Sequence, residues 1–234
     1  MKMKILRIST ACLFVICLPL LLISLNVTFM ANFKDLYEYG FEKYDVAETT
    51  GISDDELSGA AGELIGYFKG TRDSIDIQVI KNGEQIELFT PREIHHLEDV
   101  KGIIQFFHLV LWSTLGYAGI YLIAGFAIKK RGFLRSMMQG LFRGGLLTLA
   151  LIAFIGLWAL IDFDSLFLRF HLSSFSNDLW QLPSSSYLLK MFPEGFFSDC
   201  ATFLVADTII ECLILIVPSW FYLHKNPPAQ LHEA

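Results

Sequence analysis

The sequence predicts an all-α membrane fold: four transmembrane helices with a small α+β extracytoplasmic cap inserted between helices 1 and 2. Three observations carry that prediction. Of the 234 residues 53% are hydrophobic, and they gather into four runs, at about 8–30, 103–128, 141–161 and 201–222. Each run matches the roughly 20 apolar residues with which a helix crosses a bilayer. Lysine and arginine collect at one set of ends of those runs, as the positive-inside bias expects of short cytoplasmic loops. Between the first two runs lies a long polar stretch with helix and hairpin signals of its own.

Helix 1 occupies residues 1–30. "MKMKILR" resembles the basic start of a signal peptide. The apolar part that follows is longer than a signal core and is not followed by a small-x-small cleavage site, so it is read as a retained anchor. The cap spans 31–101 and carries 16 Asp and Glu against 7 Lys and Arg, a net −9 in a chain whose formal charge is −6. Such an acidic surface excludes strong attraction for nucleic acid. Within it, Ser53 with Glu56 three residues on forms a capping box that opens a helix to about Phe68. Alternating apolar and polar residues on both sides of Asn82-Gly83 predict a hairpin closed by a two-residue turn. Thr90, Pro91 and Glu93 then make a second capping box. The helix it opens runs through both adjacent histidines into helix 2.

Helix 2 is expected over 102–128, a cytoplasmic basic loop with "KKRGFLR" over 129–138, and helix 3 over 139–161. Gly140 and Gly144, four apart at the start of helix 3, suit close helix packing. An extracytoplasmic interfacial loop follows over 162–199, its phenylalanines and Trp180 suited to the membrane–water boundary. Helix 4 covers 200–223, and His224 and Lys225 open a cytoplasmic tail, 224–234. Both termini then face the cytoplasm, while His95, His96 and His171 share the opposite side of a cell membrane.

Histidine is the side chain best matched to proton transfer near neutrality. On a helix His95 lies one turn from Asp99, and His96 lies near Arg92, Glu93 and Asp99. The plainer reading is a solvated helix head with mixed ion pairs. Glu93-x-x-His96 is half of a di-iron pattern whose second copy is missing, and there is no HExxH or zinc-spaced Cys/His set, so no metal is assigned. His95, Asp99 and His171 around one ion is the metal alternative. Ser174 and Asp178 would share the His171 face of a continuous helix, but no GxSxG elbow exists. His95-His96-Leu97-Glu98-Asp99 fits an HxxxD acyltransfer box. Outside the cytoplasm, coenzyme A thioesters are absent, so the acyl donor must be a membrane lipid and no cofactor is expected. Asp207 and Glu211, with Gln105 and His108, are intramembrane polar groups read as packing partners rather than an ion path. Cys12, Cys17, Cys200 and Cys212 are read as small buried hydrophobes.

"REIHHLEDVK" before a span, then "FHLSSFSNDLW" and "FPEGFF" between two later spans, resembles the lipoprotein intramolecular transacylase family, Lit. "TGISDDELSGAAGELIGYF" is similar to the cap helix of that family. The resemblance implies transfer of an acyl chain from the glyceryl sn-2 oxygen of a diacylglyceryl-modified bacterial lipoprotein to its N-terminal cysteine α-amine. It maps the family's histidine pair onto His96 and His171. Arg92, Glu93, His95, Asp99, Asn177 and Trp180 are the neighbours expected around them. One histidine is to remove a proton, the other to donate to the leaving oxygen or stabilise the oxyanion, with the roles open. Where an aspartate-proline step is expected after the tryptophan, this chain has "LWQLPSSSY". A metal-assisted membrane hydrolase and a non-enzymatic membrane sensor or adaptor with an acidic outer domain are the alternatives.

Overall fold

A computed structural model of the chain describes residues 2–227; the side chains of Lys2 and Lys4, and the expected tail at 228–234, lie outside the described residues. In chain order the elements are α1 (Lys2–Asn32), α2 (Lys34–Lys43), α3 (Val46–Thr50), α4 (Asp54–Lys69), β1 (Gln78–Lys81), β2 (Glu84–Glu87), α5 (Pro91–Lys129), a 3-10 turn (Lys130–Gly132), α6 (Phe133–Ile161), α7 (Phe163–Ser174), α8 (Tyr187–Met191) and α9 (Glu194–Lys225). They form two compact units. One holds the chain up to residue 25, 109–155 and the chain from 205 onward; the other holds 26–108 and 156–204.

The first unit holds parts of α1, α5, α6 and α9 with the 3-10 turn. Three apolar helical segments are long enough to cross a bilayer: Ile5–Asn32, Pro91–Ile161 and Glu194–Lys225. The middle one comprises α5 and α6 with the 3-10 turn between them. A basic loop over 129–138 is therefore corrected to a three-residue connection, because helix resumes at Phe133. Phe133 explains this: it is buried, with its ring 5.3 Å from that of Tyr121 and 5.1 Å from that of Phe126. Lys130 takes a left-handed φ of +49°, which turns the chain within those few residues. Gly140 and Gly144 bring α6 against Phe14 and Leu18 of α1; a Cβ at either glycine would collide with those side chains. Tyr117 adds a hydrogen bond from its hydroxyl to the Thr10 carbonyl at 2.7 Å, a polar tie within an otherwise apolar contact.

The second unit carries the cap elements and the outer loop on one hydrophobic core. Ser53 caps α4 by accepting from the Glu56 amide, and Gly70, at φ +77°, ends it in the left-handed conformation glycine favours. The apolar stripe of α4, Leu57, Ala61 and Leu64, is fully buried. Each leucine contributes about 2–3 kcal/mol of burial. β1 and β2 pair antiparallel with Val79 opposite Ile86. Asn82 and Gly83, at φ +53° and +82°, make the two-residue turn that matches strand twist. Residues 34–50 form α2 and α3; α2 buries Leu36, Tyr37, Gly40 and Phe41 on one face. Segment 162–199 is more than an interfacial loop: Leu188, Met191, Phe192 and Phe196 belong to the same core as α4 and the hairpin.

Candidate active site

The site is assembled from the head of α5 and from α7, both in the second unit. Glu93 and Thr90 cap the start of α5 reciprocally: the Thr90 amide and hydroxyl donate to Glu93 Oε2 at 2.7 and 2.6 Å, and the Glu93 amide reaches Thr90 Oγ1 at 3.4 Å. Glu93, Leu97 and Ile104 share the buried side of α5 with His96, which turns that imidazole inward. α7 starts where Asp162 Oδ1 accepts from the Ser165 amide at 3.0 Å. It stops at Ser174, because Phe175 turns to extended backbone at φ −116°, ψ 136°. Asp178 is thus not on a helical face with His171 and Ser174, and that expected constellation is corrected.

His96 and His171 lie with ring centroids 6.3 Å apart and planes inclined by 28°. They are 8% and 9% exposed, so water has little access to either ring. Aromatic side chains enclose them. Phe175 touches both, at 5.1 and 5.5 Å. Phe167 lies 4.4 Å and Trp180 4.9 Å from the His171 ring. Burial first and the neighbouring His171 second hold His96 down to about 4, against the opposing pull of Asp99. His171 Nδ1 lies 2.8 Å from the Phe167 carbonyl. A carbonyl only accepts, so Nδ1 carries the hydrogen and Nε2 of the neutral ring presents a lone pair. Among the described residues, His96 Nδ1 is buried without a hydrogen-bond partner. An orphaned N–H is the rarer and costlier case, which places the His96 proton on Nε2.

The other expected neighbours divide into two sets. Arg92 donates to the Asp178 carbonyl, and Asn177 Nδ2 donates to Asp99 Oδ2 at 2.9 Å. Asn177 Oδ1 accepts from the Leu179 amide at 2.9 Å, fixing the bend that presents Trp180 to His171. These ties fasten 175–180 onto α5. His95 instead is exposed and pairs with Glu98, Nδ1 to Oε2 at 3.0 Å. Glu93 serves the fold: beyond Thr90 it accepts from the Ser186 hydroxyl and from the Leu188 amide at 3.0 Å. Further along the long helices, Gln105 is exposed on α5, and His108 faces Asn32 at 3.5 Å. Asp207 is exposed and Glu211 half-buried on α9. The Cys12, Cys17, Cys200 and Cys212 thiols are unbridged; Cys212 is buried and Cys12 exposed, so burial is not common to the four. Among the described residues, no three His, Cys, Asp or Glu side chains gather as metal ligands.

An open groove of about 510 Å³ is lined by Asp99, Gly102, Ile103, Phe106, Phe107, Phe170 and Ser174; the imidazoles adjoin it through Asp99, whose charge acts on His96, and through Phe170, 5.5 Å from the His171 ring. The aromatic enclosure was not legible as a site in the sequence, since its phenylalanines read equally well as a membrane belt. Two nearby imidazoles, one offering a lone pair and one an N–H, can take and return a proton.

The model of the lipoprotein intramolecular transacylase family matches residues 12–197. The chain belongs to that family, Lit. A solved structure of the membrane integral lipoprotein intramolecular transacylase Lit from Bacillus cereus is 21% identical; the match covers 95% of this chain and 97% of that one, with a TM-score of 0.79. A variant of the same protein with one histidine replaced by arginine matches at 19% identity over 96% and 95%, with a TM-score of 0.73. The Lit fold is thus shared across nearly the whole chain. An uncharacterised protein of Aquifex aeolicus (strain VF5) is 28% identical over 139 residues, and that match spans 58% of this Lit-family chain and 58% of the relative's length.

Proposed function

We propose that this chain is a membrane transacylase that moves the sn-2 acyl chain of a diacylglyceryl lipoprotein onto the α-amine of its N-terminal cysteine, giving the lyso-form lipoprotein. The observation that carries the reading is the enclosed His96–His171 pair, 6.3 Å between ring centroids. Membership of the Lit family supports the reaction class.

α1, α5, α6 and α9 each cross the bilayer once, α5 and α6 on either side of the basic turn Lys130–Gly132. That turn and both termini face the cytoplasm, and the second unit, with the imidazoles, stands at the outer leaflet. The charge asymmetry of the sequence supports this orientation.

The cysteine amine first loses its ammonium proton to solvent, which is easy for a group of pKa near 8. Its nitrogen then attacks the sn-2 ester carbonyl, forming the C–N bond. His171 Nε2 takes a proton from the attacking nitrogen, and the His96 Nε2–H donates to the oxyanion as a neutral imidazole, the form its burial favours. On collapse the C–O bond breaks, and His171 returns its proton to the departing glyceryl oxygen. Amine and ester become amide and alcohol, with no net change of protons. Donor and acceptor belong to one molecule, so the protein's task is orientation and proton handling rather than capture of a second substrate.

The test is mass spectrometry of a lipoprotein's N-terminal peptide from cells with and without this chain. An N-acyl, monoacylglyceryl cysteine that appears only with the chain is the expected result. Identical peptides from both strains would refute it.

A further inference from the structure

The groove beside the imidazoles has two chemically distinct ends. Asp99, Ile103, Phe106 and Phe107 stand at i, i+4, i+7 and i+8 on α5, one face of a helix, and Phe170 and Ser174 stand at i and i+4 on α7. The carboxylate is therefore at one end, and about 12 Å of helix carries apolar and aromatic side chains away from it. Asp99 is half-buried, its hydrogen-bond partner is the neutral Asn177 amide at 2.9 Å, and its charge is felt by His96. A carboxylate held by an amide keeps its full charge for a cation. The volume, about 510 Å³, lies within the range of sites that hold a small ligand.

We infer that this groove is the substrate seat: Asp99 receives the cysteine α-ammonium, and the trough of Ile103, Phe106, Phe107 and Phe170 receives the sn-2 acyl chain. The inference rests on the acyl transfer proposed above and adds which part of the substrate lies where. A chain leaving the bilayer gains little from entering another apolar place, since lipid tails are as apolar as the groove. Affinity and register must then come from the charged end, and chain choice from the shape of the apolar end. Asp99 is a positioning residue in this scheme. It holds the nitrogen beside the imidazoles through the loss of its proton, and the bonds made and broken are those already described.

The experiment uses the full chain in phospholipid nanodiscs with synthetic diacylglyceryl-cysteinyl peptides bearing short or long sn-2 chains. Filling the trough with Phe106→Trp or Phe107→Trp is expected to lower the ratio of long-chain to short-chain turnover by about tenfold, the discrimination typical of a shaped apolar pocket. Asp99→Asn is expected to raise KM about tenfold with a smaller change in kcat, and Asp99→Glu to recover part of it. Wild-type turnover with an unchanged chain-length ratio in both tryptophan variants, and an unchanged KM in Asp99→Asn, overturns the seat while leaving the reaction in place. Wild-type protein inert on every peptide defeats the reaction itself. A further measurement needs no variant: a photoreactive group at the end of the sn-2 chain should label wild-type protein at 103–107 or 170–174. Labelling confined to other segments overturns the seat.

Discussion

The carboxylate of Glu93, 1% exposed, accepts a hydrogen bond from the Ser186 hydroxyl across the second unit while its other oxygen caps its own helix through Thr90. One side chain therefore both starts the helix that bears His96 and anchors the start of α8. Burial pushes Glu93 up, but hydrogen bonds from the Ser186 and Thr90 hydroxyls and the Leu188 and Thr90 amides outweigh it, so its carboxyl sits below the ordinary 4.5. Glu93→Ala leaves those donors unsatisfied in a buried place and should cost roughly 3 kcal/mol of stability. Thermal unfolding in detergent measures it, and Glu93→Gln should fall between the two.

Acid should weaken the protein in two steps. His96 is held down to about 4 from 6.5 by burial first and by His171 second, against the pull of Asp99. A depressed histidine means the folded state binds fewer protons than the unfolded one across that interval. Stability is then complete above about pH 6.5 and declines as pH falls towards 4, by about 3 kcal/mol at most. Glu93, also depressed, adds a loss that begins only below its unfolded value of 4.5. Melting temperatures measured from pH 8 to 4 should slope in wild type and be nearly flat in His96→Phe above pH 4.5.

Trp180 lies 4.9 Å from the His171 ring, and such aromatic contacts are worth about 1 kcal/mol. Trp180→Ala should reduce turnover several-fold to roughly tenfold, because the ring proposed to handle the proton is less firmly held. Trp180→Phe should retain most of it. Steady-state kinetics on a diacylglyceryl peptide checks both.

Gly144 lies against Leu18 within the first unit. Gly144→Leu has no space to fill and should destabilise by about 1–3 kcal/mol, as overpacked cores do. Lower yield of folded protein in detergent, with partial recovery when Leu18→Ala is added, is the expected outcome.

Much of the fold was legible because its signals are local. Ser53, Asn82-Gly83 and the Thr90–Glu93 box each specify a cap or turn within four residues, and each is found where those residues place it. Charge topology put His96 and His171 on one side of the membrane and the order of the motifs paired them, but nothing within either segment encodes a contact across so much chain. Three features were not. The turn after Lys129 depends on Phe133 lodging against Tyr121, a tertiary contact. The end of α7 at Ser174 depends on Phe175 turning into the aromatic box. The Ser186–Glu93 bond could not be read from a glutamate whose local cap already explained it.

The proposed chemistry needs both imidazoles, and the direct measurement is product formation by purified His96→Ala and His171→Ala proteins on one diacylglyceryl-cysteinyl peptide, followed by mass spectrometry. With melting temperatures close to wild type, each variant should lose N-acyl product by at least about a hundredfold, the scale of general acid–base help. Near wild-type yield from either folded variant would contradict the shared proton relay between these two rings.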